Sequence, residues 1–392
     1  MRIGFQIEYL DPARGGAETY VYRFAEELLS AGHEVHLFAA GFGKAPEGAV
    51  THRVLRCGLS RMERDWRFAR AAGRAARRAR LDVVAAVGRT FGADVLQPHG
   101  GTLRGSRRQN LLLVQGGGLR AAKQVSDWLN PRVRTHVWLE GRQFAADPPP
   151  EVVAISRMVR RDMQEFYRVP DERLHLVYNG VDVKHFSPEA CRSRRDEARD
   201  RLGLAESETC FLLVAHNFKL KGVRELVESA GFLHGDRAGG DLWRIVVVGK
   251  GNPRPYQRLA ERLGCAGRIH FAGPAADVLP AYAAADVYVH PTWYDPCSLV
   301  VLEALACGLP VITTRFNGAG ELIEDGREGF VLDSPADAGR LAETMERLLD
   351  PGLRGPMGEA ARRAAEQYPI ERNFREMLKV FTRVAGRKEV GA

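Results

Sequence analysis

The chain has 392 residues, 45% apolar and 27% charged, the balance of a globular protein of two to three domains and not of a disordered or fibrous one. Lysine and arginine number 57 against 49 aspartate and glutamate, a net charge of +8, which excludes an acidic solvating protein and favours anionic partners. Six cysteines (Cys57, Cys191, Cys210, Cys265, Cys297, Cys307) form no CxxC and have no histidine at zinc spacing, which speaks against a disulfide framework and fits a reducing cytosol.

Taken in chain order, short β-branched runs lie at 2–7, 34–39, 82–87, 94–98, 152–155 and 174–178, then at 210–215, 243–249, 268–273, 286–290 and 309–314. Amphipathic helical segments separate them, and strand, crossover helix, strand is the pattern of parallel sheets covered on both faces. The pattern starts twice, each time with a buried strand running into a glycine-containing loop, at Gly15–Gly16 and at Lys221–Gly222. It predicts an α/β chain of two Rossmann-like, doubly wound parallel-sheet domains facing an interdomain cleft. Asn179-Gly180 is a turn signal between the halves and is read as the hinge, a surface turn inside one large domain being the alternative. The expected domains are 1–180 and 181–369, and Asp350-Pro351-Gly352 is a further break before two final helical segments. Glu8 and Asp11 precede any apolar region of signal-peptide length, and no run approaches the roughly 20 apolar residues of a bilayer span. The expectation is a cytoplasmic protein that at most sits peripherally on the inner face of the cytoplasmic membrane.

The most informative segment is HPTWYDPCSLVVLEALACGLPVITT, 290–314. A strand ends at His290, a loop holds Asp295 and Pro296, and a helix begins near Ser298, carries Glu303 and stops at Gly308. The amides of Ser298, Leu299 and Val300 are expected to lie unpaired at the helix N-terminus, where they can bind a phosphate. A carboxylate one turn further in can accept from both hydroxyls of a ribose. Alone, the acidic pair also fits a capping loop followed by an ordinary surface glutamate.

This acidic-x7-Glu segment resembles that of retaining GT-B glycosyltransferases, glycosyltransferase family 4, and the resemblance covers nearly the whole chain. VAHNFKLKGV and HPTWYDPCSLVVLEAL are most similar to the lipopolysaccharide core glucosyltransferases. The resemblance implies two Rossmann domains, an interdomain active site, and a C-terminal helix (370–392) that crosses back to complete the first, acceptor-binding domain. The second domain is then the nucleotide-sugar-binding one. Glu303 matches the glutamate that binds the nucleotide ribose. Asp295 stands where the family usually has a glutamate that contacts the donor sugar, one methylene shorter. Lys221 matches the lysine that neutralises the donor diphosphate. Leu220 replaces an arginine common in the core glucosyltransferases, with Lys219 as substitute; a solvated lysine pair is the plain alternative.

Gly15 and Gly16 match a glycine pair whose amides approach the donor phosphate and the acceptor, although glycine in such a loop often only relieves turn strain. Glu18 either contacts the acceptor or starts its helix favourably through the dipole. His99 matches a histidine that contacts the donor sugar, or is held by its own loop. The run 268–273 matches the loop whose backbone reads the nucleobase.

No Asp-x-Asp occurs, so a metal-clamped diphosphate has no support in the sequence, and no metal or cofactor is expected beyond the nucleotide-sugar substrate. Charge on the leaving diphosphate falls to Lys221, Lys219 and the helix N-terminus. The resemblance implies retention by a front-face route, with a hexose, by expectation glucose from UDP-glucose, moved to a lipid-linked glycan such as the lipopolysaccharide core. Transfer from GDP-mannose or UDP-N-acetylglucosamine to another acceptor, and a non-catalytic nucleotide-sugar-binding protein, are the other readings. Nucleic acid is not expected as a partner, because no recognised module or basic-aromatic interleaving is present. An anionic membrane surface is. The stretches 61–80 and 104–134 each carry a balance of +6, and the second adds Leu119, Trp128 and Leu129.

Overall fold

The computed structural model describes residues 1–114, 116–146, 149–233 and 243–390. It divides into two compact units, Met1–Tyr178 with Glu371–Ala392, and Asn179–Ile370. The last two residues of the expected C-terminal helix lie outside the described residues; the helix itself runs Ile370–Val390.

Unit 1 is built on β1 (Arg2–Gln6), β3 (Glu34–Ala39), β5 (Val50–Arg53), β6 (Val83–Ala86), β7 (Val95–Leu96), β8 (Glu151–Ala154) and β9 (Leu174–Leu176). A separate two-stranded ribbon pairs β2 (Tyr9–Leu10) with β4 (Gly41–Phe42). The seven-stranded sheet has the order β5-β3-β1-β6-β7-β8-β9, with every pair parallel. The chain therefore reverses its winding between β1 and β6. Both faces of β1 are covered, which fits its apolar centre Ile3-Gly4-Phe5. On one face Phe5 meets Phe24 at 5.7 Å and Phe381 at 6.0 Å, and Phe24 stacks on Phe374 at 4.8 Å. On the other, Phe38, Phe68, Ala72, Ala76 and Leu81 pack together. Helix Arg61–Arg78 supplies three of these, and Ser60 caps it by accepting from the Glu63 amide.

Unit 2 contains β10 (Thr209–Val214), β11 (Trp243–Val248), β12 (Ile269–Gly273), β13 (Val287–His290), β14 (Val311–Thr314) and β15 (Gly329–Leu332), in the order β12-β11-β10-β13-β14-β15 and all parallel. That is the 3-2-1-4-5-6 order of a dinucleotide-binding sheet, with its switch point between β10 and β13.

Several expectations are corrected. Strands β5 and β15 lack a sequence signal: β5 is a short edge strand whose residues are mostly exposed, and β15 follows the charged turn Glu324–Glu328. The run at 94–98 yields only a two-residue strand, because Pro98 has no amide to donate and the His99 amide folds back onto the Gln97 carbonyl. Asn179-Gly180, expected as the hinge, stands where unit 2 begins, and its neighbourhood is packed rather than an open surface turn. Val181 pairs in parallel with Pro369, the Ile370 amide donates to the Val181 carbonyl at 3.0 Å, and a Cβ on Gly180 would stand 2.5 Å from Ile370 Cα.

Phe381 is fully buried and joins the C-terminal helix to β1. Phe381→Ala is expected to destabilise unit 1 by about 3–5 kcal/mol, the usual loss for a buried aromatic, read as a lower urea midpoint at unchanged slope.

Candidate active site

The loops that follow β10 and β13 meet at the switch point of unit 2. Gly222 makes the approach possible: its φ is +79°, and a Cβ there would lie 2.0 Å from the Pro291 carbonyl oxygen. The Trp293 amide (2.9 Å) and the Thr292 hydroxyl (3.0 Å) both donate to the Leu220 carbonyl. The Trp293 indole donates to buried Glu225 at 2.9 Å, whose other carboxylate oxygen is buried without a partner. Burial raises the Glu225 pKa.

These contacts deliver Lys221 to Asp295. Lys221 Nζ donates to Asp295 Oδ2 at 2.5 Å and to the Tyr294 carbonyl at 3.3 Å. An ammonium has three donors, so one is left for a ligand. His290 Nε2 stands 3.3 Å from the same Oδ2, and its Nδ1 is 3.2 Å from the Tyr288 hydroxyl. Burial holds the His290 pKa down, so the ring is neutral; the proton assigned to Nε2 lets it donate to the carboxylate. Burial opposes ionisation of Asp295, but the Lys221 charge and the His290 bond outweigh it and hold the carboxyl well below the usual carboxylate range. Asp295 is 8% exposed, and its backbone is clamped between Phe316 and Gly318, with its amide donating to the first carbonyl and its carbonyl accepting from the second amide.

Helix Leu299–Ala306 starts directly after this loop, and Leu299 and Val300 occupy its first turn, where amides have no intrahelical acceptor. The Ser298 amide, expected to be unpaired, is not: it donates to Asn317 Oδ1 at 3.3 Å. Asn317 also accepts from the Ala319 amide and donates to Thr313 Oγ1, both at 3.0 Å, so it ties the start of the helix to the end of β14. Asn179 donates to the Cys297 carbonyl at 2.9 Å, and its Oδ1 and the Ser298 hydroxyl are buried without partners. Glu303 lies in the second turn and accepts from the Tyr282 hydroxyl at 2.8 Å, which fixes one carboxylate oxygen. Lys219 is exposed and its side chain has no partner among the described residues. The strand β12, expected to offer a base-reading loop, is an edge strand whose Gly273 carbonyl accepts from Gly249.

Sequence reasoning singled out Lys221, Asp295, Glu303, Leu299 and Val300, which unit 2 gathers around two adjoining loops. It missed His290, Asn317, Asn179 and Tyr282 as positioning residues. His290 alone stands near a singled-out residue in the chain, five before Asp295; Asn179, Asn317 and Tyr282 act on groups 118, 19 and 21 positions away.

Unit 1 holds the remaining residues. Gly15 precedes helix Gly16–Ser30 in extended backbone, and Glu18 stands in the first turn with a carboxylate oxygen 3.2 Å from where a Gly15 Cβ would lie. A negative charge there suits the helix dipole. His99 lies in the loop beyond β7, its ring 4.4 Å from that of Tyr20, whose hydroxyl donates to Asn373 at 2.9 Å. Burial pushes the His99 pKa down to about 4, so the ring is neutral, and its Nε2 is buried without a partner.

The family description Glycosyltransferase Family 4 matches residues 14–185, and Glycosyl transferases group 1 matches 209–351. Lipopolysaccharide glucosyltransferase WaaG of Escherichia coli (strain K12) is 29% identical over 243 residues, 62% of this chain and 64% of that protein. D-inositol 3-phosphate glycosyltransferase of Salinispora arenicola (strain CNS-205) is 33% identical over 242 residues, 59% of this chain and 54% of that protein. The alignments thus span less than two thirds of these curated relatives. The crystal structure of WaaG, a glycosyltransferase involved in lipopolysaccharide biosynthesis, superposes with a TM-score of 0.80 at 23% identity, covering 97% of this chain and 99% of that one. Sucrose-phosphate synthase from Thermosynechococcus elongatus gives 0.78 at 21% identity, covering 98% and 99%. The fold is GT-B.

Because the Asp295 pKa is depressed in the folded state, its ionisation contributes stability that is fully present above the unfolded value near 4 and is lost as pH falls toward the lower folded value. The stability gap between the wild type and Asp295→Asn is expected to be constant from about pH 5 to 7 and to shrink below pH 4. Urea titrations at pH 7, 5 and 3 measure it.

Proposed function

Because the chain belongs to the glycosyltransferases of these two families, we propose that it is a retaining hexosyltransferase that moves glucose from UDP-glucose onto a membrane-associated glycolipid such as the lipopolysaccharide core. The observation that carries this reading is the Lys221–Asp295 pair at the switch point of unit 2, beside the unpaired amides of Leu299 and Val300. The glucose and glycolipid parts draw support from the named glucosyltransferase relative.

In this reading the third donor of Lys221 and the two amides meet the diphosphate, with Lys219 adding charge from the loop surface. Glu303, steadied by Tyr282, takes the ribose hydroxyls. Asp295 positions Lys221 through Oδ2, and its Oδ1, which accepts from no described residue, is turned to the donor sugar. Gly15, Gly16, Glu18 and His99 serve the substrate side held by unit 1; neutral His99 offers Nε2 to a sugar hydroxyl. In the front-face route the bond from the anomeric carbon to the diphosphate oxygen breaks. The acceptor oxygen bonds to the same face, and its proton passes to the departing phosphate. Buried, preorganised donors stabilise the charge that develops there.

The membrane part rests on unit 1. No residue of helix Gly117–Leu129 is buried, and Leu119, Val125, Trp128, Leu129 and Trp138 are all exposed. Arginines stand over tryptophans at Arg70–Trp66, Arg134–Trp128 and Arg142–Trp138, a pairing suited to headgroups. Not all of the basic charge is unmatched. Arg107 and Lys123 pair with Asp127, and Arg108 with Glu165. No helix among the described residues is long and apolar enough to cross a membrane.

Lys221→Ala is expected to lower kcat by about 10²–10³-fold, the range of a lost charge stabiliser, and Glu303→Ala to weaken UDP binding. Calorimetric titration with UDP, GDP and ADP together with donor hydrolysis tests both, and wild-type values in either variant overturn the assignment. Trp128→Ser with Trp138→Ser is expected to abolish co-sedimentation with anionic liposomes, and wild-type binding is expected to fall across a salt series.

A further inference from the structure

Unit 1 has its own switch point, between β1 and β6, and a cavity of about 410 Å³ opens at the C-terminal ends of β6 and β7 beside it. Ligands of doubly wound sheets bind at such places, and the volume suits a small sugar derivative. Its walls are unequal in charge. Asp65 accepts from Arg56 at 2.5 Å and stands 3.0 Å from His136 Nε2, while Glu8 pairs with Arg56 at 2.9 Å. Glu140 accepts from the Leu103 amide at 3.0 and 3.1 Å and from the Tyr167 hydroxyl. Each acid is thus already engaged.

Three arginines of the same wall are not. Arg61, Arg89 and Arg132 line the cavity, and none of their side chains makes an ion pair or hydrogen bond with a described residue. They come from three places, the start of helix Arg61–Arg78, the loop after β6 and the start of helix Pro131–Gln143. The charges of two of them, Arg89 and Arg132, converge on one neighbour, His136. Burial lowers the His136 pKa first, and the Arg89 and Arg132 charges push it the same way; Arg89 also acts on buried Glu140. The loop that carries Arg89 is fixed, because Gln143 Nε2 donates to the carbonyls of Gly88 at 3.0 Å and Thr90 at 3.1 Å.

Like charges gathered around one polar cavity repel, and an anion relieves them. We infer that this cavity is a recognition pocket for a phosphate group of the acceptor, gripped by Arg61, Arg89 and Arg132. Guanidinium forks match the tetrahedral oxygens of a phosphate pairwise, which an ammonium does not. The inference rests on the proposal that unit 1 holds the acceptor, and it adds what that acceptor must carry. The phosphate sits on a sugar of the acceptor or in its lipid headgroup; both present the same chemistry.

Calorimetric titration of the full chain with inorganic phosphate, glucose 6-phosphate, and vesicles of phosphatidylcholine with and without phosphatidic acid tests it at constant ionic strength. The wild type is expected to bind phosphate, and Arg89→Gln and Arg132→Gln each to bind about tenfold more weakly, the cost of one charge-assisted contact. Arg132→Lys is expected to fall between wild type and Arg132→Gln, since it keeps the charge and loses the fork. Tighter binding of glucose 6-phosphate than of inorganic phosphate assigns the group to a sugar. An arginine-dependent gain on phosphatidic acid vesicles alone assigns it to the headgroup. No phosphate binding by the wild type, or equal binding by the folded variants, overturns the pocket. UDP titration of the same wild-type sample reads the donor side separately, so retained UDP binding without phosphate binding removes this inference and leaves the proposed function standing.

Discussion

The contact between Lys221 and Asp295 is the constraint around which unit 2 is arranged. Each ion loses several kcal/mol of hydration on burial, and the pair recovers this only if its geometry is held fixed and its remaining valences are used. The neighbourhood meets both conditions. Gly222 lets the two loops touch, Leu220 is tied to Thr292 and Trp293, and the Asp295 backbone is clamped on both sides. His290 then has one useful state, neutral with a proton toward the carboxylate, and Tyr288 secures its other nitrogen.

The two units obey one topological rule and fill it with different chemistry. In both, the winding reverses beside the first strand, and the loops leaving the two central strands carry the reactive groups. In unit 2 the buried charges at that place, Lys221 and Asp295, are matched to one another. In unit 1 the acids are matched and three arginines are not. A matched pair positions a ligand at short range without attracting anions strongly from afar, whereas unmatched cations attract and grip.

What the sequence made legible follows from how local each signal is. Buried parallel strands are mostly apolar, so β1, β10, β11 and β13 could be read directly. The helix after Asp295 could be placed because Gly308, at φ +78°, ends it. Lys221, Asp295 and Glu303 were found through a motif. The strand β5 was not found, since an exposed edge needs no apolar pattern, and β15, although mostly buried, is a four-residue run behind the charged turn 324–328. Asn179 and Asn317 were missed for a stronger reason. Each acts across a long stretch of chain, Asn179 on Cys297 and Asn317 on Ser298, and nothing in an isolated asparagine announces a distant partner. For the same reason the Ser298 amide was wrongly expected to be unpaired. The arginines at 61, 89 and 132 were visible as charge but not as a cluster, because only the fold brings three such separate positions to one cavity.

The pairing of Asp295 with Lys221 has a consequence for the charge that this loop presents. Asp295 Oδ2 lies on Lys221, so from a distance the pair is close to neutral. The lysine can still donate one short hydrogen bond, but it contributes little to the longer-range field. The net positive charge of this loop then falls to Lys219, which is exposed and has no partner among the described residues. The first-turn amides of Leu299 and Val300 add the partial charge of the helix end. Screening by salt acts on an exposed ammonium far more than on a buried pair. The field of Lys219 is therefore sensitive to ionic strength, whereas the buried contact of Lys221 with Asp295 is far less so. The short-range and the long-range charge of this loop thus stand on two lysines two residues apart.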